Sequence, residues 1–199
     1  VNSVAINHHS AALINKYSPR DASLMYSFSA GSEKDVEQAV EAACESFNDG
    51  RWSDLTVNER KSVLQKLADL IVENQEELAF YDCMDVGKPI SSALEGDTSL
   101  AVEILRDCAE GLDKIVSPSG TDKGTTVYQC RKPVGVVGAI IGWNYPLFMA
   151  ALKVGPALAM GNSLVLKPSE HSPLSAIRLA ELAVEAGVPP GVLNVINGA

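Results

Sequence analysis

The feature that most constrains this sequence is an alternation of strand-like and helix-like segments between residues 134 and 196. Residues 134–141 are almost continuously apolar, as is typical of a strand in a parallel sheet that is covered on both faces. Pro146 can open a helix and Gly161 can close it, because proline suits the first helical turn and glycine suits the residue after the last one. A strand followed by a helix is therefore predicted over residues 134–161.

The same order then repeats along the chain. Residues 163–166 and 192–196 predict a second and a third strand, and residues 172–187 between them predict a helix. Alternation with such short connections predicts an α/β fold with a doubly wound parallel sheet and right-handed crossovers. Ligands of such sheets bind beyond the carboxyl ends of the strands, so the loops at those ends are the candidate site.

The first half of the chain is predicted to be mainly helical. Extended segments at 15–19 and 24–28 flank a turn and predict edge strands, and residues 117–124 predict a loop before a strand over 125–130. Ser32 with Asp35, and Thr56 with Glu59, form the patterns that begin helices. We expect these helices to end at 48–50 and at Asn74, and two more to cover 76–84 and 101–115. The apolar faces are predicted to be Val36, Val40, Ala43 and Phe47; Val63, Leu64, Leu67, Leu70 and Ile71; and Ala101, Ile104, Leu105, Cys108, Leu112 and Ile115.

Charge and hydropathy limit the partners of the chain. Its 25 acidic and 16 basic residues give a formal net charge of -9, which repels nucleic acid phosphates and anionic lipid head groups. No apolar stretch approaches the roughly 20 residues that a membrane-spanning helix needs, and the first ten residues lack the pattern of a secretory signal. We therefore expect a cytoplasmic protein that binds neither nucleic acid nor a membrane.

The residue types that hold metals or form disulfides are scattered. The four cysteines form no CxxC pair and three of them fall in helical segments, which favours buried, unreactive thiols over a metal or disulfide role. Surface or capping roles are the simpler interpretation of the three histidines, and we predict no metal site. These residues are Cys44, Cys83, Cys108 and Cys130, with His8, His9 and His171.

The loops expected at the carboxyl ends of the strands are 142–145, 167–170 and 197–198. Glu170 lies 29 positions after Ile141, where dinucleotide-binding units often place an acid that binds the adenosine ribose. A carboxylate suits the 2'-hydroxyl of NAD better than the 2'-phosphate of NADP, and Lys167 adds donors for the same ribose. The alternative is that Lys167 and Glu170 are a solvated pair at a helix start. The glycines here do not reproduce G-x-G-x-x-G.

Asn144 precedes the helix that Pro146 opens, and its amide has two interpretations. It can donate a hydrogen bond to a developing oxyanion, or it can cap the helix N-terminus, which the spacing alone favours. Trp143 is either a wall of the ligand crevice or ordinary packing. The apolar residues of the first helical turns face either the core, which is the simpler interpretation, or a substrate tunnel. These residues are Phe148, Met149 and Leu152.

Several motifs, taken in order and spacing, resemble the aldehyde dehydrogenase superfamily. They cover 133–138 running into Gly142-Trp143-Asn144-Tyr145-Pro146, then 155–162, 166–170 and 186–195, with 15–19 and 85–89 extending the resemblance over nearly the whole chain. Within that superfamily the chain resembles the betaine-aldehyde and γ-glutamyl-aminobutyraldehyde type of enzyme. The resemblance implies a Rossmann-like coenzyme-binding domain that binds NAD, or alternatively NADP.

The resemblance also implies the roles of individual residues. Asn144 would be the oxyanion-hole amide, and Lys167 and Glu170 would hold the ribose. Gly142 stands where the family frequently has proline, which leaves that loop less rigid. The residues implied to line the coenzyme cleft are Ile140, Ile141, Gly142, Trp143, Pro168 and Ser169.

The family oxidises an aldehyde to a carboxylic acid through a thiohemiacetal on a cysteine, passes hydride to nicotinamide and hydrolyses the thioester with a glutamate as base. The resemblance implies that residues 1–199 are the amino-terminal part of the coenzyme-binding domain, that the catalytic domain with the cysteine and glutamate lies further along, and that this chain alone is inactive. It also implies that 113–132 begin a hairpin used for assembly into a homodimer or homotetramer.

Two other functions compete with the dehydrogenase. One is a short, non-catalytic nucleotide-binding or assembly module of the same fold, which gene sequence beyond the codon for Ala199 would separate from the enzyme. The other is a relative that reduces acyl phosphates, against which the turn from Trp143 to Pro146 argues.

Overall fold

A computed structural model describes residues 12–114, 116–122 and 124–198. A short antiparallel pair comes first, formed by β1 (Leu13–Tyr17) and β2 (Leu24–Ser29). A helical region follows, and then a second antiparallel pair and a three-stranded parallel sheet. The α/β fold and the helical region before the sheet are both confirmed.

The helical region begins with two helices whose predicted caps are confirmed. In α1 (Glu33–Asn48) and α2 (Val57–Glu73), the N-cap residues Ser32 and Thr56 form capping boxes with Asp35 and Glu59. α3 (Gln75–Val86) ends where Gly87 adopts a left-handed conformation, which a residue without a Cβ adopts without strain. Then come α4 (Ile90–Ser92), a π-helical segment (Ala93–Thr98), α5 (Ser99–Gly111) and a 3-10 turn (Leu112–Lys114). The predicted core residue Ile115 lies outside the described residues.

The predicted apolar face of α1 is wrong at Val36 and Val40, which are exposed, and is confirmed at Ala43, which is buried. The buried side of α1 carries small residues, among them Ala39, Ala43 and Ser46. Small side chains let α1 approach the sheet closely, where the hydroxyls of Ser46 and Ser163 lie 2.8 Å apart. Close packing of α1 against the sheet, and not the helical spacing of its valines, therefore decides which face of α1 is buried.

The predicted loop over 117–124 is also wrong, since Val116–Asp122 forms strand β3. It pairs antiparallel with β4 (Thr125–Cys130), with an irregular register between Pro118 and Gly120. Serine, proline and glycine disfavour strands, but pairing with the β-branched segment on β4 outweighs that preference. The result is a hairpin in which β4 is exposed along its whole length.

The parallel sheet has the predicted strands in the order β5-β6-β7. They are β5 (Val136–Ile140), β6 (Ser163–Lys167) and β7 (Leu193–Val195), connected by α6 (Pro146–Ala159) and α7 (Leu174–Ala186). Leu164 and Leu166 belong to the main core with residues of α6 and α7, whereas Ser163 faces α1. Because successive strand residues point to opposite faces, helices cover β6 on both sides. The prediction that both faces of β5 are covered is wrong: β5 lies at the edge of this three-stranded sheet, and its residue Ile140 is 79% exposed.

Two buried side chains hold the carboxyl end of α6. The indole Nε1 of Trp52 donates to the carbonyl of Leu158 at 2.9 Å, and Arg60 Nε donates to that of Ala159 at 3.0 Å. They satisfy carbonyls that have no partner within the helix. Both residues come from the helical region, so it anchors the helix between the first two strands.

Trp52→Phe is expected to lower the free energy of unfolding by about 1 kcal/mol, because it removes a buried hydrogen bond to the Leu158 carbonyl, which then keeps the N–H of Gly161 as a donor. Urea unfolding followed by circular dichroism measures the change. Trp143→Phe is the matched control, since Trp143 is exposed and makes no side-chain hydrogen bond within the described chain. Equal stability of Trp52→Phe and the wild type would contradict the role of Trp52.

Candidate functional site

The turns after β5 and β6 lie together at one edge of the parallel sheet. The backbone N–H of Ile141 donates to the carbonyl of Lys167 at 3.1 Å, where the two strands end. Beyond them, the Ser172 hydroxyl donates to the carbonyl of Trp143 at 3.0 Å and joins the turns directly. The third predicted turn follows β7 at the same edge, because the N–H of Ile196 donates to the carbonyl of Leu166 at 2.9 Å, and the Asn197 carbonyl in this turn accepts from the N–H of Gly31 at 2.6 Å.

Lys167 and Glu170 form an ion pair with 3.6 Å between Nζ and Oε2, and their side chains are 28% and 30% exposed. Glu170 also lies 3.3 Å from the His171 ring and accepts from Ser169. A hydrogen bond from its own backbone N–H, followed by the charges of His171 and Lys167, lowers the pKa of Glu170 despite partial burial. Glu170 is therefore a carboxylate at neutral pH, with part of its surface open to a ligand.

Asn144 does not cap α6. The N-cap residue is Tyr145, which also makes no side-chain cap, so the interpretation of Asn144 as a helix cap is wrong. Asn144 is exposed, its Oδ1 lies 3.5 Å from the position that a Cβ on Gly142 would occupy, and no described residue hydrogen-bonds its side chain. The amide is thus free to bind another group.

The residues predicted to line a coenzyme cleft divide into two groups. Ile140, Gly142 and Trp143 are exposed, and the indole of Trp143 is 53% exposed at the mouth of the turn. The others are buried and can offer a ligand little beyond their backbone; they are Ile141, Pro168 and Ser169. Phe148 and Met149 are half-buried and Leu152 is exposed, so these three do not belong to the fully buried core.

Sequence reasoning missed a group of charged residues behind the two turns. Asp82 on α3 is 1% exposed, and the equally buried Asp97 forms an ion pair with Lys88. The ammonium of Lys88 lies 4.3 Å from the centre of the Tyr145 ring, next to Asn144. One signal was present in the sequence: Asp82 falls four residues after the buried Leu78, on the same face of α3.

Burial raises the pKa of Asp82 to about 7, and the charge of Asp97 adds to the rise while Lys88 opposes it. Asp82 Oδ2 accepts a long hydrogen bond, 3.5 Å, from the backbone N–H of Leu147. The Ser175 hydroxyl is close enough to lower this pKa, although Asp82 Oδ1 and Ser175 Oγ do not complete a hydrogen bond of ordinary geometry. Asp82 is therefore a buried acid that titrates near neutral pH.

The described cysteines show no sign of nucleophilic activation. All four are free, and Cys130, at the end of β4, is exposed. Burial raises the pKa of Cys83 and of Cys108, which keeps both thiols protonated at neutral pH.

Among residues 12–114, 116–122 and 124–198 no cluster of three or more His, Cys, Asp or Glu could hold a metal ion. No helix in those ranges is long and apolar enough to cross a membrane. His8 and His9 lie outside them.

Comparison with protein families matches residues 6–199 to the aldehyde dehydrogenase family. The chain belongs to this family. It is 48% identical over 169 residues to the NADP/NAD-dependent aldehyde dehydrogenase PuuC of Escherichia coli (strain K12). This alignment covers 84% of this chain and 34% of PuuC. It is 42% identical over 181 residues to aminoacetaldehyde dehydrogenase of Pseudomonas aeruginosa, covering 90% of this chain and 36% of that protein.

Solved structures of aldehyde dehydrogenases share this fold. KauB from Pseudomonas aeruginosa matches with a TM-score of 0.89 at 45% identity, covering 100% of this chain and 40% of KauB. The NAD+ complex of an aldehyde dehydrogenase from Bacillus cereus matches with a TM-score of 0.88 at 41% identity, covering 94% of this chain and 38% of that one. The chain spans about a third of the length of the curated aldehyde dehydrogenases that it matches.

Proposed function

We propose that this chain supplies the coenzyme-binding half-site of an NAD(P)-dependent aldehyde dehydrogenase that oxidises an aldehyde to a carboxylic acid. The observation that carries the proposal is the hydrogen bond from Ser172 to Trp143, which brings the Asn144 turn and the Glu170 turn together at the carboxyl edge of a parallel sheet. That edge is where doubly wound folds bind dinucleotides. Membership of the family supports the same function.

The residues of this edge fit a dinucleotide. Lys167 and Glu170 combine donors with a carboxylate, both partly exposed, so they can bind the two hydroxyls of an adenosine ribose. The exposed side chain of Ile140 offers an apolar surface beside them. Because Glu170 is ionised, it repels a 2'-phosphate and favours NAD over NADP.

Asn144 is assigned the oxyanion-hole role. When bound, the nicotinamide accepts a hydride from the substrate. The free amide of Asn144 would donate a hydrogen bond to the aldehyde oxygen as it gains negative charge, and a preorganised donor stabilises that charge more than water does. Pro146 opens α6 directly after this turn and limits its movement.

The covalent steps need a cysteine thiolate and a general base that we assign to a segment outside residues 1–199. The protonated thiols of Cys83 and Cys108 support this assignment. The 199-residue chain alone is then expected to bind coenzyme without turning over an aldehyde. We further propose that the intact enzyme is cytoplasmic and forms a homodimer or homotetramer, using the β3–β4 hairpin, whose strand β4 is exposed.

The coenzyme assignment is tested by Glu170→Gln, which is expected to weaken NAD binding about tenfold and narrow the preference over NADP, since it removes a charged hydrogen-bond acceptor. Isothermal titration with each coenzyme gives the dissociation constants. Glu181→Gln is the matched control, because Glu181 is a glutamate of α7 that forms an ion pair with Arg178. Unchanged constants for both coenzymes in Glu170→Gln would refute the ribose role.

A further inference from the structure

The two helices that follow the proposed coenzyme turns have no side-chain cap of their own. The N-cap residues are Tyr145 for α6 and Pro173 for α7, and neither makes a side-chain cap, in contrast to the capping boxes of α1 and α2. The first free N–H groups of both helices instead face carboxylates of α3. The caps of the coenzyme-binding helices are thus supplied by tertiary contacts.

We propose that Asp82 and Asp85 are positioning residues that fix the Asn144 turn and the Glu170 turn relative to each other, an inference that rests on the proposed function. They lie three residues apart on α3 and therefore on one face of a rigid helix. Asp82 accepts a backbone hydrogen bond from α6, and Asp85 accepts one from α7. One helical turn of α3 thereby spans both halves of the coenzyme edge.

Asp82 reaches both helices. Its Oδ2 accepts from the N–H of Leu147, the second residue of α6, and its carboxyl group also lies near the Ser175 hydroxyl of α7. A carboxylate at a helix N-terminus is stabilised by the helix dipole and in turn orients the first turn. Removing Asp82 leaves this first turn, which follows directly on Asn144, without an acceptor.

Asp85 is the centre of a second set of contacts at the start of α7. Its Oδ2 accepts from the N–H of Leu174 at 3.4 Å, and its Oδ1 accepts from the Tyr26 hydroxyl. Lys16, which is buried, donates to the carbonyls of Asp85 at 2.8 Å and of His171 at 2.5 Å. The β1–β2 hairpin therefore holds the residue next to Glu170 against the end of α3.

The two turns can move separately, because the described hydrogen bond that joins them runs from the Ser172 hydroxyl to the Trp143 carbonyl. The carboxylates of Asp82 and Asp85 each accept a backbone N–H from the helix that follows one of the turns. Loss of Asp82 displaces the amide and should slow turnover. Loss of Asp85 displaces the ribose-binding carboxylate and should weaken coenzyme binding.

The test uses the intact enzyme and measures kcat and the dissociation constant of NAD for each variant. Asp82→Ala is expected to lower kcat by about tenfold to a hundredfold, the effect of a displacement near 1 Å, with NAD affinity within about twofold of wild type. Asp85→Ala is expected to weaken NAD binding about tenfold, with kcat at saturating NAD within about twofold. Asp82→Asn and Asp85→Asn keep an acceptor oxygen and should restore most of each loss. Asp107→Ala, at an exposed position of α5, is the matched control.

A purely structural role predicts a different pattern, in which both alanine variants lose stability and neither shows the split between kcat and affinity. That pattern, or amide variants no better than alanine, overturns the inference. If an alanine variant does not fold, Asp82→Glu is expected to lower kcat and Asp85→Glu to weaken NAD binding in the same way, because the longer side chain displaces the turn. Asn144→Ala and Glu170→Gln are measured alongside. The inference alone fails if these two variants show their expected defects and the aspartate variants do not. If Asn144→Ala and Glu170→Gln both behave like the wild type, the proposed function fails first.

Discussion

Replacement of Asn144 by Ala is expected to slow turnover of the intact enzyme about a hundredfold or more while leaving the dissociation constant of NAD little changed. The reason is that an oxyanion-hole amide stabilises charge that appears only as the reaction proceeds. An interaction made only in the transition state raises kcat without tightening the ground state. Single-turnover measurements of aldehyde oxidation, with NAD binding measured separately, test both halves of this expectation.

The structure makes this substitution informative because the Asn144 side chain supports no element of the chain over residues 12–114, 116–122 and 124–198. Its side chain is exposed, it does not cap α6, and no described residue hydrogen-bonds it. Folding and coenzyme binding should therefore survive the change. Asn58→Ala, at an exposed position in the first turn of α2, is the matched control. A near-wild-type rate in Asn144→Ala would end the oxyanion assignment.

Replacement of Asp82 by Asn is expected to stabilise the fold increasingly as the pH rises. Burial raises the pKa of Asp82 from 3.8 to about 7, so the folded protein holds a proton that the unfolded chain releases. Stability then falls as the pH rises from the unfolded to the folded pKa, and on the order of 4 kcal/mol is lost by pH 8. Asn cannot ionise and avoids this loss.

The measurement is urea unfolding of both proteins at pH 5 and at pH 8. The stability advantage of Asp82→Asn is expected to grow by about 3 kcal/mol between these pH values. Carboxylates with lowered pKa, such as Glu77 and Glu170, change stability in the opposite sense but equally in both proteins, so they cancel in the difference. Asp107→Asn, at an exposed site, should show no such growth. A difference between wild type and Asp82→Asn that does not change with pH would rule out a buried acid at this position.

Stability and the support of the proposed site make opposite demands on Asp82, behind the carboxyl edge of the parallel sheet. Asp82 lowers stability at neutral pH because a charge is buried, yet it supplies the acceptor that α6 lacks. In the proposed enzyme that acceptor orients the turn carrying Asn144. A residue that lowers stability where it supports a site is the expected pattern for functional regions.

The candidate site could be predicted from the sequence only in part. The loops that carry Asn144 and Glu170 follow from the alternation of strands and helices, since parallel strands place their carboxyl ends at one edge. The choice between a helix cap and a free amide at Asn144 could not be made, because both interpretations use the same spacing. The structure decides it by giving the N-cap position to Tyr145.

The sequence by itself determined the strand and helix order between residues 134 and 196, the capping boxes of α1 and α2, and the family, because all of these depend on residues close together in the chain. Only the tertiary structure decided which face of α1 is buried, that residues 116–122 pair as a strand, and that carboxylates of α3 accept from the first turns of α6 and α7. Each of these depends on contacts between segments far apart in sequence. Local propensity amounts to a few tenths of a kcal/mol per residue, and burial or a new hydrogen bond at a distant contact outweighs it.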